Sequence, residues 1–225
     1  RSNCSNALQL DFLNDYDIDA CLWVGGLGIS GTEAVADILA GKTNPSGSLV
    51  DTYLYDNFSS PAMQNFIAQK YLVDEGVEIP EAISTYMVYQ EGIYVGYKYF
   101  ETRYYDYVMA AENVGEFDYA SEVAFPFGYG LSYTEFVYDG ISVVYNRLAR
   151  QYNVNVTVRN AGDMAGKETV QIYLQSPYTE YDKANNIEKA AVQLVGFGKT
   201  DVLEPGQSQT ITITVDQRDM ACYDA

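Results

Sequence analysis

Tyr152-Asn-Val-Asn-Val-Thr-Val158 places an apolar side chain at every second position, the period of a strand that buries one face. The same alternation returns in Ile141-Ser-Val-Val-Tyr145, Thr169-Val-Gln-Ile-Tyr-Leu174, Ala191-Val-Gln-Leu-Val195 and Thr210-Ile-Thr-Ile-Thr-Val215. Turn residues separate these runs, at Asn160-Ala-Gly-Asp163 and Glu204-Pro-Gly-Gln207. Five half-buried strands at this spacing predict an all-β domain over 138–225, an immunoglobulin-like or fibronectin type III-like sandwich.

Upstream the pattern changes. Ala20-Cys-Leu-Trp-Val24 is short, apolar and bounded by Asp19 and Gly25, which predicts a buried strand. Ala34-Val-Ala-Asp-Ile-Leu-Ala40 has helical spacing, with Ser30 and Glu33 placed for a capping box and Gly41 for a left-handed C-terminus. Asn44-Pro-Ser-Gly47 reads as a turn into a second short strand, Gly47-Ser-Leu-Val-Asp-Thr-Tyr53. A helix over Met63 to Leu72 is the only regular element expected between 54 and 90. Residues 1–123 are therefore read as an α/β domain, and 124–137 as an aromatic linker. In that linker, Phe125, Phe127, Tyr129 and Tyr133 are expected to be buried at the seam and to hold the two domains rigidly together.

Composition narrows the chemistry. Thirteen basic and 31 acidic residues leave a net charge of −18, a field that repels phosphate backbones and anionic headgroups, so neither nucleic acid nor membrane is expected as a partner. With no histidine, Ser-His-Asp and Cys-His catalysis are excluded, as is any histidine-ligated metal. Cys4, Cys21 and Cys222 match no zinc spacing and no disulfide framework, and unpaired thiols favour a reducing compartment. Nothing at the N-terminus reads as a signal peptide, and no apolar run reaches the length of a membrane span. The one excess is tyrosine, 22 residues against 9 Phe and 1 Trp, which suits half-exposed strands, seams and sugar-stacking surfaces alike.

Gly26-Leu-Gly-Ile-Ser-Gly31 fits G-x-G-x-x-G between an expected strand and a helix, with Asp51 about 20 residues on. The helix is short and no further β-α units follow, so a loop allowing the helix to pack closely on its strand is preferred over a dinucleotide site. Asp15, Asp17 and Asp19 alternate like the first ligands of a calcium loop, yet Ala20 and Gly26 occupy the places of its glycine and its bidentate glutamate. They are read as a solvated approach to the strand.

Three stretches together resemble glycoside hydrolase family 3, the group containing β-glucosidases and related exo-acting enzymes. Glu33-Ala-Val-Ala-Asp-Ile-Leu-Ala-Gly-Lys-Thr-Asn-Pro-Ser-Gly-Ser-Leu49 is similar to that family's helix, turn and strand. Tyr89-Gln-Glu-Gly-Ile-Tyr-Val-Gly-Tyr-Lys-Tyr-Phe100 and Phe125-Pro-Phe-Gly-Tyr-Gly-Leu-Ser-Tyr-Thr134 resemble two further signatures. Val156-Thr-Val-Arg-Asn-Ala-Gly162, Gly166-Lys-Glu-Thr-Val-Gln-Ile-Tyr-Leu174, Leu194-Val-Gly-Phe197 and Leu203-Glu-Pro-Gly206 are similar to its fibronectin type III-like module.

The resemblance implies a truncated α/β-sandwich domain followed by a fibronectin type III-like β-sandwich. It implies an intact retaining hydrolase that needs no cofactor and acts on a β-linked oligosaccharide or glucoside. In that family the aspartate nucleophile comes from a barrel domain, and the acid/base glutamate commonly lies before the strand equivalent to the one holding Trp23. No carboxylate here matches either role, so no catalytic, cofactor-binding or metal residue is assigned, and the segment is expected to act as scaffold beside a barrel domain. Two rivals stand beside it: a stand-alone carbohydrate-binding or interaction module using exposed tyrosines, and a nucleotide-binding domain.

Overall fold

The computed structural model describes residues 9–64, 69–70, 80, 85–111 and 114–222. The second half is ordered by its alternation. Strands β5 (Phe136–Asn146), β6 (Gln151–Asn160) and β9 (Ser208–Asp216) form an antiparallel sheet in the order β5-β6-β9, and β7 (Thr169–Leu174) pairs with β8 (Gln193–Lys199) in a second sheet. The first half supplies β1 (Tyr53–Leu54), β2 (Gln69–Lys70), β3 (Thr85–Tyr86) and β4 (Val123–Phe125).

Every second residue of β6 turns inward. Val154, Val156 and Val158 meet Val170, Leu203, Ile213 and Val215 in one continuous core, with Val158 and Leu203 fully buried. Burial of seven aliphatic side chains is the main stabilising term of this half, at roughly 1.5–3 kcal/mol each. Gly196 and Gly198 on β8 permit that packing, since a Cβ on Gly196 would stand 2.7 Å from Ile213 Cγ2. Asn160, fully buried at the end of β6, spends all its capacity: Nδ2 donates to the Met164 and Leu203 carbonyls, both at 2.8 Å, and Oδ1 accepts from Thr134 Oγ1 and Gly162 N.

The five expected strands all form, but β5 departs from the half-buried reading. Ile141, Val143 and Val144 are largely exposed. Ile141 and Val143 lie opposite the inward Val156 and Val154, so they face the interior side of the sheet. Among the described residues the second sheet has two strands, and its core contacts are with β6, β9 and Phe136 at the start of β5, which leaves the later part of β5 largely exposed. A short helix, α6 (Glu180–Ala184), interrupts the β7–β8 connection; its Thr179/Asp182 capping box was not anticipated.

The first half is held by less. Helices α1 (Phe12–Asp15), α2 (Gly31–Leu39), α3 (Pro61–Gln64), α4 (Tyr97–Val108) and α5 (Tyr119–Glu122) accompany two small antiparallel pairs, β1 with β4 and β2 with β3. Its buried cluster is Leu54, Phe100 and Val123, flanked by Tyr99 and Tyr119. Helix α2 ends in a complete Schellman motif: Gly41 takes φ +70°, its N–H donates to Ile38 O, and Lys42 N donates to Asp37 O.

Four expectations are corrected here. Ala20–Val24 is not a strand; it is unpaired coil with Leu22 and Trp23 exposed, because an apolar run needs flanking strands and the described residues supply none. The capping box at Ser30 does not form, since Ser30 has helical rather than extended backbone and its hydroxyl makes no cap bond. Asn44–Gly47 is irregular coil rather than a turn, and only Tyr53 of the following run is in a strand. Of the helix expected over 63–72, Met63 and Gln64 lie in α3, whereas Gln69–Lys70 pair as a strand with Thr85–Tyr86; residues 65–68 and 71–79 lie outside the described residues.

Candidate functional site: the seam between the two halves

Backbone geometry decides where the two halves meet. Leu49 exchanges two hydrogen bonds with the linker, donating to Tyr129 O and accepting from Gly128 N, both at 2.8 Å. Gly128 takes φ +82°, and a Cβ on Gly130 would collide with the Gly47 carbonyl. Two segments some eighty residues apart are thus pressed backbone to backbone.

Asn44 locks them. Its Oδ1 accepts from Tyr133 N at 2.8 Å and Ser132 Oγ at 2.9 Å, while its Nδ2 donates to Ala165 O at 3.1 Å. One amide therefore ties the helix α2 exit to the linker and to the loop before β7. The Asn44-Pro-Ser-Gly47 stretch predicts a turn residue at Asn44, and no local signal distinguishes the two roles. Lys199 Nζ on β8 donates to Ser46 O, and Tyr133 OH donates to Ile38 O at 2.9 Å.

Helix α4 makes the second contact. Ala191 N donates to the buried Thr102 Oγ1 at 3.0 Å, and Leu194 N donates to Tyr97 OH at 2.8 Å. The Tyr97 ring stacks on Phe127 with centroids 4.6 Å apart and meets Tyr173 edge-on at 6.1 Å. Burial pushes the Tyr173 hydroxyl up to about 12.

The linker aromatics do reach the seam, but none of the four is fully buried. Phe125 and Phe127 are half-buried, while Tyr129 and Tyr133 are exposed. Their hydroxyls explain the difference, since a tyrosine can cover a seam with its ring and keep its polar end in water.

Three of the described carboxylates with shifted ionisation have structural partners, and a fourth, Asp106 on α4, is raised by burial alone. Asp182 is held down to about 2 by Lys189 Nζ at 2.7 Å and by Thr179 N and Oγ1. Burial raises Glu168, against the opposing pull of the Tyr138 hydroxyl and Lys199. Burial also raises Glu122, whose nearest cation is Arg103 at 3.9 Å and whose Oε2 is buried without a hydrogen bond. Asp15 closes α1, and Asp17 and Asp19 lie exposed in the coil beyond it.

The G-x-G-x-x-G loop precedes α2 as expected, but among the described residues no strand precedes the loop. A Cβ on Gly26 or Gly28 would touch nothing within 4 Å, so these glycines do not serve close packing; Gly28 instead supplies a turn at φ +61°.

Residues 3–97 match the glycosyl hydrolase family 3 C-terminal domain, and residues 168–225 match the fibronectin type III-like domain. The chain carries a family 3 C-terminal domain joined to a fibronectin type III-like domain. A β-glucosidase of Ruminococcus albus is 36% identical over 222 residues, which cover 99% of this chain and 19% of that protein. An exo-α-(1→6)-L-arabinopyranosidase of Bifidobacterium breve is 33% identical over 88% of the chain and 21% of its own length. Among solved structures, β-glucosidase 3B from Thermotoga neapolitana superposes with a TM-score of 0.67 at 31% identity, covering 90% of this chain and 23% of that one.

This family 3 segment thus spans about a fifth of the length of the relatives it matches. It has a mixed α/β part that carries the family 3 C-terminal domain match, followed by the fibronectin type III-like sandwich. Among the described residues no helix is long and apolar enough to cross a membrane.

Proposed function

We propose that these 225 residues are the scaffold segment of a β-glucosidase that hydrolyses terminal β-glycosidic bonds, and that both catalytic carboxylates are supplied by polypeptide outside it. The observation carrying this reading is similarity to a β-glucosidase along 99% of the chain but only a fifth of that enzyme. In a retaining mechanism one carboxylate attacks the anomeric carbon while a second, about 5–5.5 Å away, protonates the leaving oxygen. Three of the perturbed carboxylates are tied to Lys189, Tyr138 and Arg103, as structural ion pairs and hydrogen bonds would be, and the fourth, Asp106, is raised by burial alone. The seam then has a mechanical role, since groups on different domains must hold reacting geometry to within about 1 Å. A β-linked oligosaccharide or glucoside would be the substrate of the intact enzyme, with a barrel domain as the segment's partner and neither nucleic acid nor membrane involved.

The same reading divides the chain into 1–123, 124–137 and 138–225. Strand β4 crosses the first boundary and β5 starts two residues before the second, so the linker is built into both halves.

An aryl β-glucoside assay tests the proposal. The isolated chain should show no turnover, while the intact protein should hydrolyse the substrate without added metal or cofactor. Turnover by the isolated chain that disappears when one of its own carboxylates is replaced would overturn the scaffold reading. Inactivity of the intact protein toward β-glucosides, with activity on another glycoside, would overturn the sugar but keep the segment's role.

A further inference from the structure

The two sheets of the sandwich are unequal, and their alignment shows where the smaller one falls short. Strand β8 lies over β9, since a Cβ on Gly196 or Gly198 would press on Ile213. Strand β7 lies over β6, with Val170 in one buried cluster with Val154, Val156 and Val158. Among the described residues no strand lies over β5 beyond Phe136. Ile141 and Val143 stand opposite the buried Val156 and Val154 and share their face of the sheet, yet they are 71% and 58% exposed. An open trough separates β5 from β7: Ile141 lines one side, Val170 and Ile172 the other, and no charged side chain contributes. Sheets packed face to face bury both inner faces, and here one strand of inner face is left over.

The neighbouring edge is open as well. Among the described residues β7 pairs with β8 alone. In an antiparallel pair alternate residues exchange their bonds with the partner, so every second residue of β7 turns its N–H and C=O to the free edge. The chain itself leads to that edge. Strand β9 ends at Asp216, and a 3₁₀ turn over Gln217–Met220 follows it at the end of the sandwich. There the Asp219 carbonyl accepts from Nε2 of Gln193, the first residue of β8, at 3.3 Å. Cys222 Sγ then lies 3.5 Å from the Oγ of Ser176, just past the end of β7. The path runs from β9 past β8 to β7, and a strand continuing it would lie antiparallel to β7.

We propose that the polypeptide following Cys222 in the intact protein adds an antiparallel, amphipathic strand to the free edge of β7 and closes the sandwich over β5. Its apolar face covers Ile141, Val143 and Ile172, and its backbone satisfies the outward groups of β7. A second copy is the poorer occupant, because each copy brings a net charge of −18 to the contact. A strand tethered at the end of β7 arrives instead at high effective concentration. The inference takes from the proposed function only that the chain is part of a longer protein, and it holds for any sugar.

Hydrogen–deuterium exchange is the test, followed on the 169–174 peptide in the intact protein and in the isolated 225-residue chain. The free-edge amides should exchange at least about tenfold more slowly in the intact protein, and in the isolated chain at one rate whatever the protein concentration. Val143 and Val144 sharpen the comparison, being exposed alike in the isolated chain, at 58% and 56%, but on opposite faces of β5. In the intact protein Val143→Asp should abolish the protection of β7 and Val144→Asp should keep it, whereas in the isolated chain neither should alter it. The β6 amides should stay protected in every variant, which separates a lost strand from a lost fold. Should Val143→Asp unfold the domain, the milder Val143→Thr supplies a graded loss. Equal exchange in the two forms, or equal effects of substitutions at 143 and 144 in the intact protein, would overturn the proposal. Protection that grows with concentration in the isolated chain would assign the face to a second copy and overturn it too. Exchange is read without any sugar, so its outcome is independent of the glucoside assay.

Discussion

The two halves of the chain treat their apolar residues in opposite ways. In the sandwich, Val154, Val156, Val158, Ile213 and Val215 find partners on neighbouring strands and close a core. In the first half, Trp23, Ile29, Leu39 and Val50 are exposed, and the buried cluster is three residues flanked by two tyrosines. The apolar content of the two halves is similar; what differs is whether complementary surfaces lie within the same stretch of chain. Hydrophobic pattern reports what a segment can bury, and only a partner turns that into burial.

Leu203→Ala should open the difference widest. Leu203 is 1% exposed in the sandwich core, and its truncation should cost about 3–5 kcal/mol, read by urea denaturation. Leu39→Ala, at a side chain 71% exposed, should stay within about 0.5 kcal/mol. Equal costs at the two positions would mean that the first half has a core of its own.

Asn44→Ala attacks the junction and removes three hydrogen bonds that reach two other segments. A loss of about 2–3 kcal/mol is expected, together with separation of one calorimetric transition into two. A single transition at unchanged Tm would show that the halves do not depend on this amide.

Phe127→Ala should cost less, about 1.5–2.5 kcal/mol, because the ring is half-buried on Tyr97 rather than enclosed. The same calorimetric splitting is expected. If parent and variant melt as independent halves at unchanged temperatures, the aromatic linker is a tether.

The gentlest probe is pH. Asp182 has its folded pKa lowered to about 2 from 3.8, so its contribution is present above pH ~4 and disappears as pH falls toward 2. Asp182→Asn should remove that acid-limb loss and lower stability at neutral pH by detaching Lys189 and the α6 cap. Glu122 and Glu168 work with the opposite sign, since burial raises them and their folded-state advantage is lost as pH rises. An Asp182→Asn profile identical to that of the parent would show that the α6 cap does not report on the sandwich.

The sequence by itself determined the strand content of the sandwich, the helix at 31–39 with its Gly41 terminus, and the family, because period-two alternation, cap residues and the quoted motifs are local properties of the chain. It also established that these 225 residues contain no imidazole. Tertiary structure alone decided that Asn44 is a three-way lock rather than a turn, and that Gly196 makes room for Ile213. It alone decided that Ala20–Val24 stays unpaired and that Ile141 and Val143 on β5 stay exposed. Each of these depends on which distant backbone or side chain arrives within a few ångströms, a property of chain closure that no window of neighbouring residues contains.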